Sequence, residues 1–384
     1  MLVSIPRLSY SLFFIFCLKP IGLNYYDTID TIINMTKIVM VVYFCVYFIY
    51  CFFYGKNHHF VCTYIIFFMY LAVLVPTIVN HGDYFSRIME MLSTLMLSVF
   101  FEKNKSNISE ILVSWFVVIS IYVTLNIVSV IAGGVAYNES LAIYFLGSKN
   151  SFGSLLPLYF FIIYYYYQLN SKHKFFPGVV FFILVVNVVI TLSTTAIVEL
   201  VLLFIILVIK EVNFIKKITG YWSLLFIYSI ANIILLSSFF WNIASIYLDT
   251  YFLKGAFSFL ARTRMWQTGI SLFLEHPFWG NGKLKEDVWS NYFYDVSFHT
   301  QLHNQVVEYL STGGVVLFGI YCILLFVTGL NLNKYHSDKI GGMLIVSIFL
   351  QNIGVLTEAK YFAEFFLLFI LSFYAKYFIS KKNT

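Results

Sequence analysis

The sequence predicts an all-α integral membrane protein, a bundle of about twelve transmembrane helices with one long extracytoplasmic loop. Three observations carry this prediction. Only 11% of the 384 residues are charged and 60% are hydrophobic, whereas a soluble domain carries roughly 25% charged residues; there is too little polar surface here to cover a globule. Polar clusters cut the chain into apolar runs near the length of a membrane span, about 17–25 residues. Lysines then recur at alternate connections between those runs, the bias that marks cytoplasmic loops.

The runs lie at roughly 8–23, 36–54, 60–79, 86–101, 110–132, 152–169, 175–193, 195–210, 219–240, 305–330, 340–356 and 361–379. The first follows Arg7 and is succeeded by Lys19-Pro20-Ile21-Gly22-Leu23. That sequence is unlike a small-residue cleavage site, so the run reads as a retained helix rather than a signal peptide. The seventh and eighth runs are divided only by Leu192-Ser193-Thr194-Thr195-Ala196, read as a tight turn. With that turn, Lys56, Lys103, Lys105, Lys172, Lys174, Lys210, Lys216, Lys217, Lys334, Lys339, Lys376, Lys381 and Lys382 all fall on one side. That side is expected to be cytoplasmic and to hold both termini. Without the turn the later lysines would change sides, so the charge pattern supports the boundary.

Residues 1–384 read as a single polytopic membrane domain, with 241–302 as the outer loop. The net charge of +6 is small and scattered, which gives no footprint for nucleic acid. Cys17, Cys45, Cys51, Cys62 and Cys322 lie in or beside apolar runs without a CxxC pair, so neither a disulfide framework nor a thiolate metal site is expected. Of four arginines, Arg87, Arg262 and Arg264 fall on the outer side. A guanidinium is a rigid fork suited to phosphate or carboxylate, and three outward arginines in a lysine-rich chain point to an anionic ligand.

Within the loop, Phe259–Glu275 has helical periodicity. At about 100° per residue, Phe259, Arg262, Trp266, Gly269 and Phe273 share one face, while Arg264, Thr268, Ser271 and Glu275 share the other. Arg262 is therefore expected to point into the membrane domain, where it needs an anionic or carbonyl partner, and Arg264 to meet water. Pro277 ends the helix and Gly280-Asn281-Gly282 makes a turn. His303-Asn304 stand at the mouth of the next helix, with His303, Val307, Leu310 and Gly314 along one side and Asn304, Glu308 and Ser311 beside it. A histidine at a membrane rim can take up a proton near neutral pH, and the glycines allow a bend or a close approach.

Arg262, Trp266, His276-Pro277, Gly280 and Gly282 follow the pattern R-x3-W … H-P-x2-G-x-G, and His303-Asn304, Gly314 and Gly319 follow H-[NSQ]-x9-G-x4-G. In this order, on an outer loop before a late span, the chain resembles the O-antigen ligase/polymerase family over about residues 259–319, most closely the Wzy-type capsular and O-antigen polysaccharide polymerases. The resemblance implies a GT-C-like helical bundle with a cavity open to the bilayer on its outer face. It also implies metal-independent, inverting glycosyl transfer from an undecaprenyl-pyrophosphate-linked oligosaccharide, without cofactor, in the cytoplasmic membrane. A flippase and a chain-length regulator are the partners such an enzyme would work with.

On that reading His303 is the catalytic base and Arg262 stabilises the departing pyrophosphate. Arg87, Arg264, Asn304, Glu308, Lys149, Asn150 and Trp266 are the expected substrate contacts. No metal is expected: the only adjacent acidic pair is Glu286-Asp287, and Asp249 stands alone. Two other readings compete. A ligase would move the glycan to an unrelated lipid acceptor. A lipid-linked oligosaccharide transporter would use intramembrane acids such as Glu90, Glu199 and Glu364, although no two halves of the chain look alike.

Overall fold

The computed structural model describes residues 5–54, 60–138, 141–170, 173–209, 219–237, 259–285, 302–360 and 363–379, and the structural statements below concern these. In chain order the helices are α1 Ile5–Cys17, α2 Asp27–Tyr54, α3 Val61–Val79, α4 Tyr84–Lys103, α5 Ile108–Ile131, α6 Lys149–Leu169, α7 Phe175–Thr191, α8 Thr194–Ile209, α9 Tyr221–Leu235, α10 Phe259–Glu275, α11 Gln305–Leu332, α12 Lys339–Gly354, α13 Ala363–Phe373 and α14 Ala375–Ile379. The helical reading of the sequence holds, with one addition. Between α5 and α6 a short antiparallel hairpin pairs β1 Ala136–Asn138 with β2 Leu141–Ile143, opened by Gly133 and Gly134 at positive φ, a conformation glycine adopts freely.

Caps and breaks come from the local sequence. Asp83 accepts from Ser86 N at the start of α4, and Asp338 accepts from the amides of Ile340 and Gly341 at the start of α12, each satisfying donors that the first helical turn leaves open. The turn expected near Ser193 is present: α7 ends at Thr191, Leu192 takes a left-handed φ of 50°, and α8 begins at Thr194. Among the described residues, five helices are long and apolar enough to cross a membrane, within 27–51, 61–79, 84–103, 105–131 and 305–335. Six more apolar helices run only 10–17 residues, shorter than a straight span.

Alternating helices give the bundle two ends, and hydrogen bonds identify them. At one end Asn107 meets Tyr10, Tyr165 meets Ser109, and Tyr221 Oη donates to Leu325 O. Lys103, Lys105, Lys174, Lys334, Lys339 and Lys376 stand in the connections and tail at this end. At the other, Gly22 N donates to Phe145 O, Asn80 Nδ2 to Asn281 O, and Thr195 pairs with Thr357. α12 is buried nearly throughout, whereas Phe175, Phe182, Val208, Phe226 and Ile233 on α7, α8 and α9 are largely exposed. Apolar exposure on that scale is what a bilayer covers and water would not tolerate.

Candidate active site

The site is assembled at the end opposite the lysines, from α10, the start of α11 and the loop 355–360 that follows α12. Its foundation is a break in α11. Gly314 takes φ 61° and ψ −159° inside the helix, so the helical hydrogen bonds around it open and need other partners. The turn after α10 supplies them. Asn281 N and Gly282 N donate to the carbonyls of Ser311 and Thr312 (2.8 and 2.9 Å), and Val315 N donates to Pro277 O (2.9 Å). A Cβ on Gly280 would overlap the Thr312–Gly313 backbone, and one on Gly314 would overlap the Phe278 carbonyl. The two glycine-containing motifs, read as separate in the sequence, are one interlocked structure.

The same turn is tied to the end of α3. Lys283 N donates to Thr77 Oγ1 (2.9 Å) and Asn80 Nδ2 to Asn281 O (2.9 Å). α10 in turn lies tight on α11, because a Cβ on Gly269 would overlap Val307 and stand 2.7 Å from Leu302. The face predicted to turn inward does so. Trp266 and Gly269 are buried and Arg262 half-buried, while Arg264 and Glu275 are exposed.

His303 precedes α11 with φ 51°, a left-handed conformation that costs a non-glycine residue about 1–3 kcal/mol and persists only when its surroundings enforce it. They do so on both sides. Leu302 N donates to the buried carboxylate of Glu308 at 2.9 Å. Asn304 Oδ1 accepts from Val306 N and Val307 N, capping α11, while its amide donates to Leu356 O at 3.1 Å. Asn304 and Glu308, expected to touch substrate, are instead spent on shaping the backbone around His303.

The partner that the Arg262 face requires is Glu358, in the loop after α12. Arg262 Nη2 donates to Glu358 Oε1 at 3.3 Å, and His303 Nδ1 lies 3.0 Å from Glu358 Oε2. One carboxylate thus bridges the two residues predicted to do the chemistry. All three keep some surface, with side chains 24%, 17% and 12% exposed for Arg262, His303 and Glu358, so a ligand can reach them. Burial pushes the Glu358 carboxyl up, but the hydrogen bond from His303 and the charges of His303, Arg262 and Lys360 outweigh it and hold the group below its ordinary value. An ionised carboxylate only accepts. The His303 proton facing it therefore sits on Nδ1, and in the neutral ring Nε2 is the basic nitrogen.

The other predicted contacts fall in three places. Arg87 is buried at the start of α4, paired with Glu90 at 2.6 Å, and its charge and that of Lys283 act on the Glu308 carboxyl. Burial lowers the Lys283 ammonium below its usual value, and the neighbouring Arg87 lowers it further. Lys149 and Asn150 open α6, whose Gly153 packs on the Ser193 turn. Arg264 turns away from the bridge, and Trp266 is fully buried, a packing position with no face to offer a sugar ring. Residues 241–258 and 286–301 of the predicted outer loop, with Asp249, Glu286-Asp287, Trp289 and Tyr292, lie outside the described residues.

Glu358 escaped the sequence reading because residues 357–360 pass for a minimal connection between two apolar runs. One weak signal was available: Lys360 adds a positive charge on the side opposite the main lysine clusters. Comparison with known proteins bears directly on the matched motifs. Neither the curated proteins nor the solved structures contain a match to the chain. Residues 179–322 match the family model described as O-Antigen ligase. That stretch contains Arg262, His303 and both glycine motifs, and it supports a likeness to the O-antigen ligase/polymerase family over that part of the chain.

Proposed function

We propose that the protein is a membrane glycosyltransferase that polymerises oligosaccharide repeat units carried on undecaprenyl pyrophosphate, at the outer face of the cytoplasmic membrane. The observation that carries this reading is the bridge from Arg262 through Glu358 to His303. His303 Nε2 takes the proton from an acceptor sugar hydroxyl as that oxygen bonds to the anomeric carbon of the donor. The bond from the anomeric carbon to the pyrophosphate oxygen breaks on the opposite face, so configuration inverts. The lipid pyrophosphate leaves with the electron pair, its charge met by the Arg262 guanidinium. Glu358 accepts from both residues, fixing the imidazole tautomer and aiming the guanidinium. No metal takes part in this scheme, and chelator is expected to leave the rate unchanged.

The bundle is read as about twelve spans with the lysine-bearing end and both termini in the cytoplasm. A substrate anchored in the outer leaflet then meets the bridge at the opposite end. The description of the matching family model names a ligase, which would pass the same donor to a different lipid acceptor. Glu199, on which a transporter reading would rest, has no exposed surface.

The test is to incubate the protein in nanodiscs with a lipid-linked repeat unit from its own host and resolve the products by mass. A ladder with steps of one repeat unit is expected. Single transfer only, onto an added lipid acceptor, would replace polymerase by ligase. Unchanged substrate that nevertheless crosses the bilayer of protein-containing liposomes would overturn the enzyme reading.

A further inference from the structure

At the end of the bundle that carries the bridge, residues 82–85, between α3 and α4, and residues 283–285, beyond the motif turn, line a cleft of about 540 Å³. That is the size of a ligand site, roughly 300–1,000 Å³. Its backbone is fixed. Asp83 N donates to Lys283 O (3.2 Å) and Lys283 N to Thr77 Oγ1 (2.9 Å), and a Cβ on Gly82 would overlap the Lys283 carbonyl. Asp83, the one acid among the lining residues, caps α4 through Ser86 N (3.3 Å).

The lysine side chains are not spent in this way. Lys283 is half-buried and Lys285 exposed, and neither ammonium makes a hydrogen bond or ion pair among the described residues. Arg87, one turn further along α4, is paired with Glu90, so the cations lining the cleft are the two lysines. Tyr84 and Phe85, which line it too, are largely exposed. Lysine meets phosphate as a point charge, and aromatic side chains sit at headgroup level. Together they suit an amphiphile with a phosphate head.

A polymerase must hold two lipid-linked substrates at once. The donor loses its pyrophosphate at the bridge, whereas the attacking hydroxyl of the acceptor lies at the end of its repeat unit away from its own pyrophosphate. That second pyrophosphate needs a place of its own. Thr312, whose carbonyl takes the Gly282 amide at 2.9 Å, lies about two turns, roughly 10 Å, along α11 from its His303 end. The turn that carries Lys283 is therefore anchored apart from the bridge.

We propose that this cleft is a second anion site, in which Lys283 and Lys285 hold the pyrophosphate of the acceptor lipid while the bridge takes that of the donor. The acceptor role rests on the proposed polymerisation; the presence of a pyrophosphate site does not.

The test counts undecaprenyl pyrophosphate bound to the protein in nanodiscs of neutral lipid, by native mass spectrometry. It compares the unsubstituted protein, Lys283→Gln with Lys285→Gln, and Lys283→Arg with Lys285→Arg. Two equivalents are expected for the unsubstituted and arginine proteins and one for the glutamine protein. The same count in all three would overturn the proposal. Excess phosphatidylglycerol should leave both equivalents in place; displacement of the one that the glutamine protein lacks would give the cleft to a phospholipid headgroup instead. With a fixed donor, the unsubstituted protein should favour an acceptor on pyrophosphate over the alkyl glycoside of the same repeat unit. The glutamine substitutions should raise the KM for the charged acceptor about tenfold or more and erase that preference, and a preference left intact would overturn the acceptor role. Should the unsubstituted protein extend no glycan, the polymerase reading fails and the binding count still decides the site.

Discussion

Among single residues, Glu358 joins the two groups proposed to do the chemistry. Its carboxylate joins a guanidinium 96 positions away and an imidazole 55 positions away, pairings that no local pattern in the chain encodes. Arg262 and His303 were legible because each carries a chemical demand visible in isolation: an arginine on an inward helix face needs an anion, and a rim histidine can move a proton. The acid that answers both was hidden in a short connection. Its depressed carboxyl fixes the sign of a pH effect. The bridge is fully present above the ordinary glutamate value, about 4.3, and is lost only as pH falls through the lower folded-state value. Glu358→Gln is therefore expected to lower thermal stability near pH 7, with the deficit closing at acid pH. It should cut glycan extension roughly 10²-fold or more by releasing the tautomer; a variant extending glycan at the unsubstituted rate would remove Glu358 from the mechanism.

At the scale of elements, the helical runs and the turn at Ser193 could be read directly, since apolar length and lysine placement determine them. The meaning of the glycines could not. Periodicity suggested only that α11 bends or admits a close neighbour, whereas both occur at Gly314 and the neighbour is the Pro277–Gly282 turn rather than another helix. The β-hairpin left no signal because its pairing is only three residues deep on each strand. The motif glycines are also unequal, which leads to a contrast. Gly314→Ala combines a positive φ with overlap of the Phe278 carbonyl, so it should destabilise by more than about 1 kcal/mol. Gly319 has open space where a Cβ would stand, and Gly319→Ala should leave the unfolding temperature near that of the unsubstituted protein or slightly above it. Equal effects of the two substitutions would detach the glycine pattern from the interlocked turn.

At the scale of the whole molecule, composition and lysine distribution gave the membrane class and a two-sided bundle, and the hydrogen bonds collect those lysines at one end and the bridge at the other. The direction of the bundle in the bilayer is a prediction of charge alone. Single cysteines at exposed Glu275 on α10 and at exposed His336 between α11 and α12 test it in intact cells, with the native cysteines replaced. An impermeant maleimide should label the first and spare the second. The reverse pattern would put the bridge in the cytoplasm and end the proposal that it works on outward-facing glycan.

In the proposed mechanism Arg262, Glu358 and His303 act as one unit. The most direct measurement is the rate of glycan extension for His303→Ala, Glu358→Ala and the protein carrying both. His303→Ala should lose about 10²–10⁴-fold, and adding Glu358→Ala should cost little more, because a positioning acid has nothing left to position. Losses that multiply in the double variant would mean that Glu358 and His303 contribute independently, and the bridge would then be a structural contact beside the chemistry.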